Sequence, residues 1–150
     1  MSAELRELYQ TLILDHNRRP RNARRPEGAN REARGDNPLC GDKITVWARV
    51  EDGQIADVGF EGSGCAISQA AASMMTEDVK GRSVEEFAKR FDRYHEAVTS
   101  PPSAPLDSGA LGKLAVFAGV REFPMRVKCA TLAWHTLRSA LGSGEPVSTE

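Results

Sequence analysis

A β-hairpin pattern at residues 43–60 constrains the fold of this chain more than any other feature. Over residues 43–50, alternation of apolar and polar residues places four side chains on one face: Ile44, Val46, Ala48 and Val50. Asp52-Gly53 then gives the signal for a two-residue turn with positive φ, and residues 54–60 supply a return strand. We therefore expect two antiparallel strands with one buried face.

Helical patterns surround this hairpin. One amphipathic helix is predicted before it, over residues 4–17, and a polar loop follows as far as Asn37-Pro38. Four helices are predicted after it, over 65–79, from a cap at Ser83 to about Val98, near 107–120 and over 124–141. This order predicts the α+β class, a small antiparallel sheet packed with helices. We expect a single domain over residues 1–142 and a flexible C-terminal tail at 143–150.

The charge pattern argues against nucleic acid as a partner. The 20 Lys and Arg residues against 21 Asp and Glu residues leave a formal net charge of −1. Seven arginines fall between residues 18 and 34, but this segment has no interleaved aromatic residues, and Glu27 and Glu32 interrupt it. The arginine-rich segment, residues 18–34, is better interpreted as a solvated or partner-docking face.

The sequence also predicts a cytoplasmic protein without a membrane span. No apolar run approaches the ~18 residues that a membrane helix needs, and the first residues lack the apolar core of a signal peptide. Cytoplasmic thiols stay reduced, and three cysteines do not suit a simple disulfide framework. Metal ligation, catalysis or plain burial remain as roles for them.

Each of the three cysteines lies at a junction between two predicted elements. Cys40 precedes the first strand within Cys40-Gly41-Asp42, Cys65 follows Gly62-Ser63-Gly64 and precedes a helix, and Cys129 lies early in the last helix. Three thiolates and the Asp42 carboxylate would make a four-ligand set for a metal such as zinc. The wide spacing matches no common zinc motif, so buried cysteines acting as small apolar residues are the alternative.

Helix ends are predicted to set the charge of several of these groups. The N-terminus of a helix favours a thiolate at Cys65, and the neighbouring cations Arg126 and Lys128 favour one at Cys129. His16, at the end of the first helix, is predicted to stabilise that helix by its charge rather than to bind a metal.

Motifs from end to end resemble the iron–sulfur cluster assembly family of the NifU N-terminal/IscU type. They are Asp15-His16, Pro20-Arg21-Asn22, the segment from Gly35 to Asp42 that contains Asn37-Pro38-Leu39-Cys40-Gly41-Asp42, the segment from Phe60 to Ser68 that contains Gly62-Ser63-Gly64-Cys65-Ala66, and the segment from Arg126 to Trp134. At three places the chain departs from the scaffold members of this family and resembles the SufU branch instead. Lys128 replaces a histidine before the last cysteine, Phe123-Pro124-Met125-Arg126-Val127-Lys128 replaces a Leu-Pro-Pro-Val-Lys motif, and the segment between Cys65 and Cys129 is longer.

The resemblance implies a SufE/NifU-like fold with a Zn²⁺ site at one end, formed by Cys40, Asp42, Cys65 and Cys129. It further implies that Cys40 accepts persulfide sulfur, with Cys129 as the second choice. The implied partners are a SufS-type cysteine desulfurase and downstream cluster-assembly proteins. The implied activity is that of a sulfurtransferase-like partner of the desulfurase rather than a stand-alone enzyme.

Two other functions stay open from the sequence. The same four ligands could carry iron or a [2Fe–2S] cluster, which would make the protein a scaffold that assembles the cluster and passes it to apoproteins. A zinc-stabilised binding module without chemistry is the third hypothesis, and the arginine-rich segment would suit it.

Overall fold

The computed structural model of the chain describes residues 3–106 and 108–149, and it confirms the predicted α+β class. The elements in chain order are α1 (Ala3–Arg18), β1 (Arg31–Asn37), β2 (Asp42–Glu51), β3 (Gln54–Ser63), α2 (Ala66–Val79), α3 (Val84–Thr99), α4 (Ser108–Leu111), a 3₁₀ helix (Gly112–Glu122), α5 (Pro124–Leu141) and β4 (Val147–Ser148). None of the described helices is long and apolar enough to span a membrane.

The four strands form one sheet in the order β3-β2-β1-β4. The three long strands are antiparallel, as predicted, whereas the short β4 runs parallel to β1 and makes the sheet mixed. The predicted hairpin is confirmed: Asp52 and Gly53 have φ of 51° and 74°, and Glu51 pairs with Gln54 across the turn. Of the predicted inward face, Ile44, Val46 and Ala48 are buried and Val50 is partly buried.

Strand β1 lies where the sequence predicted a polar loop, so that prediction was wrong. Its inward positions are Ala33, Gly35 and Asn37, none of which has the branched or aromatic side chain typical of strands. A Cβ at Gly35 would lie 2.1 Å from Thr136 Oγ1, so α5 packs almost directly on the strand backbone. Pairing with β2 and this close helix packing stabilise a strand of low intrinsic propensity.

The segment predicted as a helix near 107–120 is helical but not a continuous α-helix. After the single turn of α4, Gly112 adopts a φ of 59°, which interrupts the α-helical path, and the chain continues as the 3₁₀ helix. Residue 107 lies outside the described residues.

The segment predicted as a flexible tail contains the short strand β4. Val147 pairs with Gly35, and the Thr149 amide donates to the Asp36 carbonyl at 3.1 Å. The sequence analysis did not predict this pairing, because a two-residue strand carries no periodic signal. Flexibility of residues 143–150 and the domain limits stay predictions.

Helices α2 and α5 cover the inner face of the sheet, and α3 packs outside them. The largest fully buried side chain, Trp134 of α5, stacks between Phe87 and Tyr94, with ring centroids 5.9 and 4.6 Å away. Trp134 follows Cys129 by five positions, so this aromatic core lies about 7.5 Å further along the axis of α5 than Cys129.

His16 ties α1 to α2 as a buried side chain. It is 1% exposed, and its Nδ1 lies 2.7 Å from Ser73 Oγ, which also accepts a hydrogen bond from the Arg21 amide. Burial, reinforced by the charge of Arg21, lowers the pKa of His16. The prediction of a charged helix-end histidine was therefore wrong, because tertiary packing removes the ring from water.

Candidate metal centre

The turn between β1 and β2 presents Cys40. Asn37 pairs with Asp42 across the two strands, leaving residues 38–41 as the turn. The Cys40 amide donates to the Asn37 carbonyl at 3.2 Å, and Gly41 adopts a φ of 70° that closes the turn. Cys40 is half-buried as a result, whereas Asp42, the first residue of β2, is fully buried.

Cys65 caps the N-terminus of α2, at the same end of the sheet. Its sulfur accepts a hydrogen bond from the Ser68 amide at 3.4 Å, as the sequence-based prediction of a thiol at a helix start requires. The preceding residue, Gly64, has a φ of 148°, and a Cβ there would lie 2.2 Å from Asp42 Oδ1. Only glycine lets the backbone pass this close to the carboxylate.

Cys129 projects from the second turn of α5 and is 2% exposed. Its sulfur lies 3.5 Å from the Met125 carbonyl and 3.5 Å from Asn37 Nδ2. Helix α5 therefore brings this thiol to the end of β1, beside the β1–β2 turn.

These elements bring all four predicted ligands to one end of the sheet. The ligand atoms of Cys40, Asp42 and Cys129 all lie within 4.8 Å of one another. Cys65 borders this group without belonging to it: its amide donates to Asp42 Oδ1 at 2.8 Å, and its thiol interacts with that of Cys129. The geometry is that of a candidate site for one cation.

The protonation of Cys129 differs from the prediction. Burial raises the pKa of this thiol, and the hydrogen bonds to Asp42, Cys40 and Cys65 act in the same direction. Arg126, predicted to favour the thiolate, instead lies over the Phe123 ring, 4.7 Å from its centroid. A cation bound in the cluster would reverse this shift, because coordination deprotonates a thiol. Thiols with one carboxylate suit zinc or the iron of a cluster.

Two further residues hold the Asp42 carboxylate. Ser68 Oγ donates to Oδ1 at 3.1 Å, so that oxygen accepts two hydrogen bonds with the one from Cys65. Asn37 Nδ2 lies 3.4 Å from Oδ2. The sequence analysis quoted both residues within motifs but gave them no role. Asn37 lies five residues before Asp42, and Ser68 lies three residues after Cys65. This proximity in sequence was the only signal that could have identified them.

Exposed apolar side chains flank the centre in sequence on both sides. Leu39, beside Cys40, is 57% exposed, and Phe123 and Met125 at the start of α5 are 47% and 52% exposed.

The fold and the cluster together define a small α+β domain with a cysteine-rich candidate metal centre. A family model, the NifU-like N terminal domain, matches residues 8–130. The chain therefore belongs to the NifU-like N-terminal domain family, and the resemblance found in the sequence is confirmed.

Relatives within this family carry two kinds of name. The chain is 37% identical to the iron–sulfur cluster assembly scaffold protein IscU of Streptococcus pyogenes serotype M1, over 93% of this chain and 86% of that protein. It is 35% identical to the zinc-dependent sulfurtransferase SufU of Bacillus subtilis, over 96% of both. A solved structure, FiSufU from Fervidobacterium islandicum AW-1, is described as a cluster assembly scaffold protein for the SUF system. It superposes with a TM-score of 0.80 at 32% identity, covering 93% of this chain and 99% of that one.

Proposed function

We propose that this protein acts in cytoplasmic iron–sulfur cluster assembly as a zinc-binding sulfur acceptor. It would take persulfide sulfur from a SufS-type cysteine desulfurase and pass it to downstream assembly proteins. The observation that carries the proposal is the compact group of Cys40, Asp42 and Cys129, in which one thiol lies on a half-exposed turn and the other two groups are buried. The similarity to the zinc-dependent sulfurtransferase SufU supports it.

Cys40, Asp42, Cys65 and Cys129 would hold the metal. Zinc, when bound, supplies the positive charge that keeps the thiols deprotonated in a buried cluster. The Asp42 carboxylate is held in place for this role, since Oδ1 accepts from Cys65 and Ser68 and Oδ2 lies 3.4 Å from Asn37 Nδ2.

Cys40 is the thiol best placed to leave the ligand set. A thiol on a short turn moves more readily than the thiols held by helices at Cys65 and Cys129. Cys129 is the second choice as the sulfur acceptor. The Cys40 thiolate would attack the outer sulfur of the desulfurase persulfide, forming a new S–S bond as the old one breaks. The desulfurase cysteine then departs as a thiolate and Cys40 carries the persulfide.

A cluster scaffold is the second candidate, because the IscU of S. pyogenes is as similar to this chain as the SufU relative. The same ligands would then carry a [2Fe–2S] cluster. The binding-module hypothesis has weaker support, since arginines of the arginine-rich segment pair within the chain: Arg21 lies 2.6 Å from Asp15, and Arg24 lies 3.3 Å from Asp57.

The decisive experiment measures alanine formation from cysteine by a purified SufS-type desulfurase. We expect the zinc-loaded protein to activate turnover, and both zinc removal and Cys40→Ala to abolish the activation. Mass spectrometry after alkylation should find one extra sulfur atom on the Cys40 peptide. Cys65→Ala is the control for metal loss, and metal analysis of each variant separates an empty site from a missing acceptor.

Other results of the same experiment would support a different acceptor residue or one of the two alternative functions. An extra sulfur on Cys129 would make that residue the acceptor. Absence of activation, with a stable cluster formed from iron and sulfide, would overturn the proposal in favour of the scaffold. If neither occurs and chelation only unfolds the protein, the binding module is correct.

A further inference from the structure

Asn37 contacts three of the four predicted ligands, yet no part of the proposed function uses it. It is the last residue of β1, is 0% exposed and pairs across the strands with Asp42. Its carbonyl accepts from the Cys40 amide at 3.2 Å. Its side-chain Nδ2 lies 3.4 Å from Asp42 Oδ2 and 3.5 Å from Cys129 Sγ.

If Asn37 served only the fold, its side-chain amide would lower the stability of the native state. Within the described part of the chain, its Oδ1 is buried and has no hydrogen-bond partner. A buried acceptor that has lost water and gained no donor destabilises the native state, and an apolar side chain of the same shape would avoid this. The position also faces α5, next to Ala33 and Gly35, where packing requires no polar group.

The contacts of Asn37 divide the ligands into two kinds. Asp42 and Cys129 share one amide donor, and this shared contact joins the β1–β2 hairpin to α5. Cys40 is held by Asn37 through the main chain, which leaves its side chain free to rotate away.

We propose that Asn37 is a positioning residue that keeps Asp42 and Cys129 in the ligand set while Cys40 leaves. The inference rests on the proposed metal site and adds the residue that separates its permanent ligands from its mobile one. Groups that orient metal ligands commonly change metal affinity by about 10- to 100-fold when they are replaced.

The test compares Asn37→Leu with Asn30→Leu in the full chain. Asn30, just before β1, is a matched control, because its side chain also bonds to a neighbouring strand, donating to the Val50 carbonyl and accepting from the Val50 amide at 2.9 Å each. Zinc affinity is measured by competition with a chromogenic chelator. Cobalt-substituted protein reports the thiolate ligands through its sulfur-to-metal absorption band.

We expect Asn37→Leu to weaken zinc binding by about tenfold or more and to reduce the cobalt–thiolate band. Asn30→Leu should leave both unchanged. In a Cys40→Ala background, which imitates departure of the mobile ligand, the loss caused by Asn37→Leu should be larger still. Asn37→Ala gives the same comparison without a bulky side chain, and circular dichroism of the metal-free proteins checks their folding.

The outcomes distinguish this inference from the proposed function. If the unaltered protein binds neither zinc nor cobalt, the proposed function itself fails. If it binds zinc and activates the desulfurase while the Asn37 variants keep its affinity and cobalt spectrum, the inference is overturned. Loss of metal-free stability with an unchanged cobalt spectrum would also overturn it, because Asn37 would then have a purely structural role.

Discussion

At Gly64 the backbone between β3 and α2 passes over the carboxylate of Asp42. A Cβ on this residue would lie 2.2 Å from Asp42 Oδ1 and 2.9 Å from Asp42 Cα. The absence of a side chain thus sets how closely the start of α2 approaches β2. It also determines whether the Cys65 amide can reach the same oxygen.

Replacing Gly64 with alanine should disrupt the metal centre. The new methyl group must displace either Asp42 or the N-terminus of α2, so we expect zinc affinity to fall by about tenfold or more. Chelator competition measures this loss. Gly81→Ala is the matched control, since Gly81 also has a positive φ, 87°, but open space where its Cβ would lie. Equal losses in both variants would contradict the prediction.

His135 should make the stability of the protein depend on pH. Burial, then the charges of Arg138 and His95, lower the pKa of His135 to about 4. An unfolded histidine has a pKa of about 6.5, so between these values the unfolded chain binds a proton that the native protein does not. This contribution to stability is intact above pH 6.5 and is lost progressively as the pH falls towards 4.

Thermal unfolding at pH 7 and pH 5 measures the effect. His135→Gln should lose less stability between the two values than the unaltered protein. Arg138→Gln removes the guanidinium 3.2 Å from His135 Nδ1 and should reduce the pH dependence in part. An unchanged pH dependence in His135→Gln would show that other groups cause it.

The secondary-structure elements with the strongest local sequence patterns were the ones predicted correctly. The β2–β3 hairpin was predicted because apolar alternation and Asp52-Gly53 indicate the same structure. The capping box at Ser83 and Glu86 likewise predicted the start of α3, and both of its hydrogen bonds are present. Strand β1 was not predictable in this way, because it is stabilised by pairing with β2 and by the close packing of α5 at Gly35, and neither leaves a mark in the local sequence.

Arg90 of α3 should stabilise the packing of the segment that contains α4 and the 3₁₀ helix against α2 and α3. Its guanidinium lies 2.7 Å from Asp78 of α2 and also donates to the carbonyls of Ala110 and Leu111. Arg90→Met would leave the Asp78 carboxylate, whose side chain is 15% exposed, with Arg82 at 3.8 Å as its remaining ion-pair partner among the described residues. Because Arg82 compensates in part, we expect a loss of about 1–3 kcal/mol in the free energy of unfolding.

Hydrogen exchange should show this loss first in residues 108–122, and denaturant unfolding gives its size. Arg93→Met is the matched control, because Arg93 is an exposed arginine on the same helix. Equal exchange of the segment in both variants would mean that apolar packing alone retains it.

For the whole molecule, we expect metal removal to lower stability without unfolding the protein. The stack of Phe87, Trp134 and Tyr94 contains none of the candidate ligands, and Trp134 lies about 7.5 Å further along α5 than Cys129, so we expect the core to stay folded without the metal. Zinc bound only by the native state raises stability by mass action. Calorimetry of chelator-treated protein should show a cooperative transition at a lower Tm that zinc restores. A metal-free protein without such a transition would contradict this.

The sequence predicted which residues meet at the candidate centre better than it predicted how they are charged. Cys40, Asp42, Cys65 and Cys129 do gather at one end of the fold, although their ligation stays a prediction. The reasoning on Cys129 failed because it used Lys128 and Arg126, which are neighbours in sequence. The pKa of this thiol is instead raised by burial and then by Asp42, Cys40 and Cys65, which are neighbours only in space. Asn37 was overlooked for the same reason.

If Cys40 accepts sulfur as proposed, the short turn that carries it would limit how far that sulfur can travel. Residues 38–41 are fixed at both ends by the pairing of Asn37 with Asp42, so the thiol can move only by the slack of four residues. Four extended residues span at most about 14 Å, and a closed turn reaches much less. Unlike a carrier with a long swinging arm, such a sulfur acceptor would have to exchange sulfur by direct contact. Each donor and each recipient would then have to dock in turn against the same small area of surface.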